Sequence, residues 1–327
     1  MLRRTRTQHE TLTSKINKAA ASRELTRWNK FGLTVSPGMP QRQRDEMSQI
    51  HVIHETPRII VAGRKRCNSF NGNQFAVIAK ATKRAVLVDM ADDWADDWHI
   101  FLEQSGAILE CIFFTHLHMD NLLGLNAFLG FRPDTPLAWC PADHFWVEKW
   151  QKTCQRYVRP DLGQHRLPFT GSLGAAGDPT DANIADLTGL PRGGRKGREI
   201  LLTQDSNRLN PTFTLAKDVH LFAVSTPGHS LGHQCLFIPR ERLLFSGDLL
   251  FNELIGRVDL PNACAGRMAQ SLRSLEDFHD ETVVLPGHGR LTTLGWERKK
   301  NFGLQRVYEH MGAGIEQPMI GANKGFF

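Results

Sequence analysis

From about residue 50 the chain alternates short apolar runs with polar turns. "HVIHETPRIIVAG" predicts a short strand, and "NQFAVIAK" with "RAVLVDM" predicts a hairpin or meander across a polar turn. "ADDWADDWHIFLEQSG" has helical spacing, with Asp92 and Asp93 near its start and Gly106 at its end. "AILECIFF" is short and continuously apolar, the pattern of a fully buried strand. "NLLGLNAFLG" fits a helix, "TPLAWC" a strand, and "PADHFWVEKWQKTCQRY" a helix with Pro141 near its start. Strands return with "VHLFAVS", "HQCLFIP" and "RLLFSGD", followed by a helix around 266–279 and the strand "TVVLP". Strands come first in meander order and then alternate with helices, twice over. That order predicts a layered α/β fold with sheets inside and helices outside. Trp94, Trp98, Trp139, Trp146 and Trp150 are expected to pack helices on the sheets, with Trp146 and Trp150 on one helical face.

Two segments break this pattern. Residues 1–49 lack it and hold ten basic residues before position 45, against only Glu10 and Glu24. The expectation is a solvated tail or an Arg-rich, acid-poor transit peptide for a mitochondrion or plastid; without such targeting the chain is expected in the cytoplasm. Residues 158–198 include "GSLGAAGDPTDANIADLTGLPRGGRKGR", rich in Gly, Pro and Asp, which reads as a long insertion within the domain 50–327.

Charge and cysteine usage narrow the class. The net charge of +6 sits largely in the first 44 residues, so the remainder is close to neutral. No basic-aromatic array interrupts the later chain, which argues against a nucleic-acid partner. No apolar stretch approaches the length of a membrane span. The six cysteines form no CxxC pair, and several lie inside apolar runs, as free buried thiols do.

The chemistry concentrates in four places, each at the end of a predicted strand: "FFTHLHMD" (His116, His118, Asp120), "STPGHS" (His229), "FSGD" (Asp248) and "LPGHG" (His288). Residues i and i+2 of an extended segment point the same way, so His116 and His118 can grip one ion. Imidazoles with a carboxylate suit Zn²⁺, and also Fe or Mn. The remaining histidines lack such a context. His233, in "GHSLGH", reads as a structural hydrogen-bonding residue.

The ordered set "THLHMDN … TPGHSLGH … FSGDLL … LPGHG" resembles the metallo-β-lactamase-fold hydrolases, and "IGRVDLP" with "LTTLGWERKKN" resembles their glyoxalase II-like branch. The resemblance covers about residues 50–301 and implies a four-layered αββα sandwich with its metals at one edge of the two sheets. It implies that His116, His118 and His229 hold a first metal, that Asp120 and His288 hold a second, and that Asp248 bridges them. Asp89, in "VLVDM", corresponds to the aspartate that orients the first ligand loop. Asn121 departs from the family, which usually has a histidine there. Its neutral amide predicts one firm site, expected to hold zinc, and a second that is weak or absent.

On this resemblance the chain is a hydrolase that uses a metal-bound hydroxide to cleave the acyl bond of a small molecule, a thioester or a relative of one. Asp120 orients the attacking oxygen and carries its proton. True glyoxalase II enzymes add a helical C-terminal domain, and 39 residues after His288 are too few for it. Two other readings stay open: a mononuclear-iron persulfide dioxygenase, and a non-catalytic or nucleic-acid-binding relative.

Overall fold

The computed structural model describes residues 50–65, 67–156, 167–169, 199–202 and 211–310. The tail 1–49 and nearly all of the 158–198 segment lie outside these residues.

The expected first strand is two. β1 (His51–Glu55) and β2 (Ile59–Lys65) are antiparallel around a turn at 56–58. There the Thr56 hydroxyl accepts from the backbone N–H groups of Arg58 and Ile59. β3 (Asn73–Ala79) and β4 (Arg84–Val88) form the predicted hairpin. β5 (Ile108–Phe113), β6 (Leu137–Trp139) and β7 (Glu199–Leu201) then add in parallel, giving a seven-stranded sheet in sequence order.

The second sheet has six strands: β8 (Phe213–Ala216), β9 (Val219–Ser225), β10 (Gln234–Ile238), β11 (Leu243–Gly247), β14 (Val283–Pro286) and β15 (Thr292–Thr293). Their order is β15-β14-β11-β10-β9-β8, with β11 and β14 parallel. A small hairpin of β12 (Leu250–Phe251) and β13 (Leu254–Ile255) follows β11.

Side-chain alternation along the strands separates three apolar layers. Phe75, Val77, Val86, Val88, Cys111 and Phe113 face Leu221, Leu236, Leu243 and Phe245 between the sheets. The opposite faces of the same strands, Ala76, Ile78, Leu87 and Ile112, pack on the helices α1 (Ala95–Gln104), α2 (Leu125–Phe131) and α3 (His144–Arg156) through Trp98, Leu102, Phe128 and Trp150. Behind the second sheet, Val224, Cys235, Leu244 and Val284 meet α4 (Ala265–Arg273), α5 (Leu294–Lys300) and α6 (Phe302–His310) through Met268, Leu272, Leu294 and Leu304. The architecture is therefore the expected αββα sandwich. Both sheets are covered on both faces, which explains why their strands read as nearly continuous apolar runs.

Two expectations need correction around α1. The helix begins at Ala95, three residues beyond Asp92. Asp92 is instead drawn into the core, where it pairs with buried Arg64 at 2.9 Å and accepts the Trp98 indole N–H at 2.7 Å. Trp94 does not pack on the sheet. It is 51% exposed, with the Arg64 guanidinium 5.6 Å from its ring.

A candidate metal centre at the sheet edge

β5, β9, β11 and β14 all run their carboxyl ends to one edge of the sandwich. The loops that leave them carry Thr115–Asn121, His229, Asp248 and His288. Backbone bonds lash these loops together: Gln234 N–H to the Thr115 carbonyl at 2.7 Å, Gly287 N–H to Gly247 at 2.8 Å, and Asn73 N–H to Gly287 at 2.7 Å. The site is thus built on strand ends, where a rigid sheet fixes direction.

His116, His118 and His229, all buried, form a group whose ligand nitrogens lie within 4.8 Å of one another and could hold a metal ion. His229 Nε2 is 2.9 Å from His118 Nδ1. His229 Nδ1 faces the Arg257 carbonyl at 2.9 Å, an arrangement that turns Nε2 toward the group. Burial, reinforced by the neighbouring imidazoles, holds His116 and His118 well below the usual imidazole range. Both are therefore neutral at pH 7, the form that binds metal.

The carboxylates sit to one side. Asp248 Oδ2 is 3.3 Å from His229 Nε2, and its Oδ1 is 3.6 Å from His288 Nε2, so Asp248 lies between the histidine group and His288. That Oδ1 is buried without a hydrogen-bond partner. His288 Nε2 is also 2.9 Å from Asp120 Oδ2, while His288 Nδ1–H donates to the Phe70 carbonyl at 3.1 Å. Burial works against charge on both members of this pair. For Asp120 the hydrogen bond and charge of His288 outweigh it and lower the carboxyl, and for His288 the Asp248 charge and the Asp120 bond outweigh it and raise the imidazole. Asn121 stands apart from this pair. Its amide nitrogen is 3.1 and 3.3 Å from the two ring nitrogens of His116. All six sequence-predicted donors are thus gathered at one edge, and Asn121 abuts the three-histidine half.

Asp89 lies behind His116. It has a left-handed backbone, φ 60°, that aspartate tolerates better than most residues. Its carboxylate accepts from the Thr115 N–H at 2.8 Å and the Thr115 hydroxyl at 2.9 Å. Burial outweighs those two bonds and lifts Asp89 to about 8. His233 has the structural part expected of it: its Nε2 accepts the Asp248 N–H at 3.0 Å, and its Nδ1 faces the Thr226 hydroxyl at 2.8 Å.

Three supports escaped the sequence reading. Asp143 accepts from Leu117 N–H (3.1 Å), the Ser230 hydroxyl (2.8 Å) and Gly232 N–H (2.7 Å), clamping the loop of His118 to the loop of His229. Asn68 donates to the Asp120 carbonyl, and Asn73 donates to the carbonyls of Pro286 and Gly289 that flank His288. A Pro-Ala-Asp turn opening a helix, an asparagine in a turn and another at a strand start are too common to announce such parts. Pairing across 87 or 213 residues leaves no local signal.

Gly247 shows how tight this edge is. Its φ is +47°, and a Cβ there would meet His233 Nε2 and Thr115 Cβ, both at 2.7 Å. Gly247→Ala is expected to destabilise the fold by about 3 kcal/mol, from left-handed strain plus overpacking. Equilibrium denaturation would read this, and a wild-type midpoint would overturn it.

A family model described as "Metallo-beta-lactamase superfamily" matches residues 70–288. An uncharacterized protein of Mycobacterium leprae, ML0493, is 27% identical over 246 residues, 73% of this chain and 94% of that protein. Other relatives match over shorter spans. An uncharacterized Aquifex aeolicus protein is 40% identical across 26% of this chain and 40% of its own length. The hydroxyacylglutathione hydrolase GloC of Haemophilus influenzae is 36% identical across 23% of this chain and 36% of its own length. Among solved structures, TTHA1623 in a di-iron-bound form superposes with TM-score 0.53 at 24% identity, covering 72% of this chain and 96% of that one. ETHE1 from Myxococcus xanthus gives 0.50 at 18%, covering 79% and 92%. At these identities the two structures establish the fold.

Proposed function

Because this chain belongs to the metallo-β-lactamase superfamily, we propose that it is a metal-dependent hydrolase that cleaves an acyl bond, a thioester or related bond, in a small molecule. The observation that carries this is the convergence of His116, His118 and His229 beside Asp248 and the Asp120–His288 pair. The donor set fits a borderline divalent ion such as zinc: three buried imidazoles, and a buried Asp248 oxygen that lacks a hydrogen-bond partner among the described residues. The thioester assignment draws on GloC, which is named for hydrolysis of an acylated glutathione.

His116, His118 and His229 would hold the firm ion, with Asp248 on its flank. A metal bound there supplies Lewis acidity and brings the pKa of its water down to about 7. Asp120 orients the attacking oxygen and takes its proton, and His288 fixes the Asp120 carboxylate by its 2.9 Å contact. Asp89 sets the direction of His116 through Thr115. Asn121 brings no imidazole to the Asp120–His288 half, so any second ion there is weak.

A panel of small thioesters and lactams, assayed alongside elemental analysis of the purified full-length protein, tests this. We expect one tightly bound metal per chain and turnover of thioesters. Asp120→Asn is expected to keep the metal and lose turnover; intact turnover in that variant would remove Asp120 from its role. A second reading, oxidation of a persulfide at a single iron, is favoured by the single metal-capable group found among the described residues and has a fold relative in ETHE1. Iron in the purified protein with oxygen uptake on a persulfide would displace the hydrolase reading.

No described helix is long and apolar enough to cross a membrane.

A further inference from the structure

The outward nitrogens of the site imidazoles are not treated alike. His229 Nδ1 donates to the Arg257 carbonyl, His288 Nδ1 to the Phe70 carbonyl, and His116 Nδ1 lies 3.1 Å from the Thr115 hydroxyl. His118 differs. Its Nδ1 points at His229, and its Nε2 is buried with no hydrogen-bond partner among the described residues. What stands beside that ring is Trp146. The ring centroids are 4.3 Å apart and the planes are at 87°.

A metal-ligating histidine almost always donates its second N–H to an oxygen, which fixes both the tautomer and the ring's direction. If Nδ1 of His118 presents its lone pair to the site, Nε2 must carry the proton. Among the described residues that N–H has no oxygen to meet. An aromatic face is electron-rich and accepts N–H donors weakly, with the donor ring perpendicular to it.

We infer that Trp146 is the positioning residue of His118: its indole face receives the Nε2–H and so holds Nδ1 toward His116 and His229. The fold prepares this contact. Asp143 ties the start of α3 to both ligand loops, and Trp146 follows three residues later. Trp146 also packs against the apolar layer of α1–α3, so the indole cannot swing freely. A soft acceptor gives His118 less electron donation than a carboxylate or carbonyl would, and a hold that depends on ring shape.

The inference rests on the metal reading above, and its test separates the two. The first measurement uses the unaltered zinc-loaded protein labelled with ¹⁵N-histidine. An Nε2–H held over an indole is shielded by the ring current, so we expect one histidine N–H proton well upfield of those bonded to oxygen. Its absence would overturn the inference. The second measurement is zinc affinity by chelator competition. Trp146→Leu is expected to weaken zinc about 10- to 100-fold, the usual loss on removing an outer partner. Trp146→Phe keeps an aromatic face and is expected to recover most of that loss. Thermal unfolding of the metal-free variants supplies the folding control. Equal zinc affinity in Leu and Phe variants would make Trp146 packing alone and sink the inference. A wild-type protein that binds no zinc or iron would instead sink the metal reading itself.

Discussion

His229→Ala is expected to leave the purified protein with almost no bound metal and to cut thioester turnover about a thousand-fold. The size follows from several kcal/mol of Lewis-acid stabilisation, at a tenfold change in rate per 1.36 kcal/mol. His229 is chosen because it joins the two halves of the centre. Its Nε2 is 2.9 Å from His118 Nδ1 and 3.3 Å from Asp248 Oδ2, and its Nδ1 is already committed to Arg257. It is carried by the 226–232 loop. That loop is itself fixed by Asp143 and by the Thr226 N–H to His233 carbonyl bond at 2.9 Å. Elemental analysis and turnover should fall together while circular dichroism remains that of the folded protein. A folded variant that retains a full equivalent of metal would show that the three-histidine group is not the binding site.

The parts of the site that were legible in the sequence are those with short-range grammar. His116, His118 and Asp120 alternate within five residues, and His229, Asp248 and His288 each follow an apolar run and a glycine. The layered fold was legible for a related reason, since strands covered on both faces read as unbroken apolar runs. What was hidden depends on distance along the chain. Asp143 serves loops 26 and 89 residues away, and Asn73 bonds Pro286 across 213. Trp146 was legible only as part of an apolar helical face, and its contact with His118 needed the tertiary structure. Asp92 was legible only in part. An aspartate just before a helical run is the usual sign of a helix start, and one Asp92 oxygen does accept the Trp94 N–H before α1, but the other is held by buried Arg64 and the Trp98 N–H. The short strands β7, β12, β13 and β15 have two or three residues each, too few to establish a period.

Asn121→His is expected to raise metal content from one to two per chain. The substitution suits the position. An imidazole Nδ1 sits at the same number of bonds from Cα as the asparagine amide nitrogen, so the backbone of the 119–121 turn need not move. The half of the centre that would gain already has an imidazole and a carboxylate in place, His288 and Asp120 at 2.9 Å, with Asp248 reaching toward them from the first half. Among the described residues it lacks a third donor of its own. The native amide is turned to His116, at 3.1 and 3.3 Å, and offers nothing to His288 among the contacts described. A new neutral nitrogen is a stronger ligand for zinc than an amide oxygen. Adding it should convert an ion pair into a second site. The cost falls on His288, which must give up the proton that Asp248 and Asp120 hold on it, so uptake of the second ion should release protons and strengthen as pH rises. Metal titration followed by calorimetry in two buffers of different protonation enthalpy would read both effects. A native protein that already binds two ions tightly would mean that Asn121 does not weaken the second site. A variant that still binds only one would place the limit elsewhere, in the spacing of Asp120, Asp248 and His288.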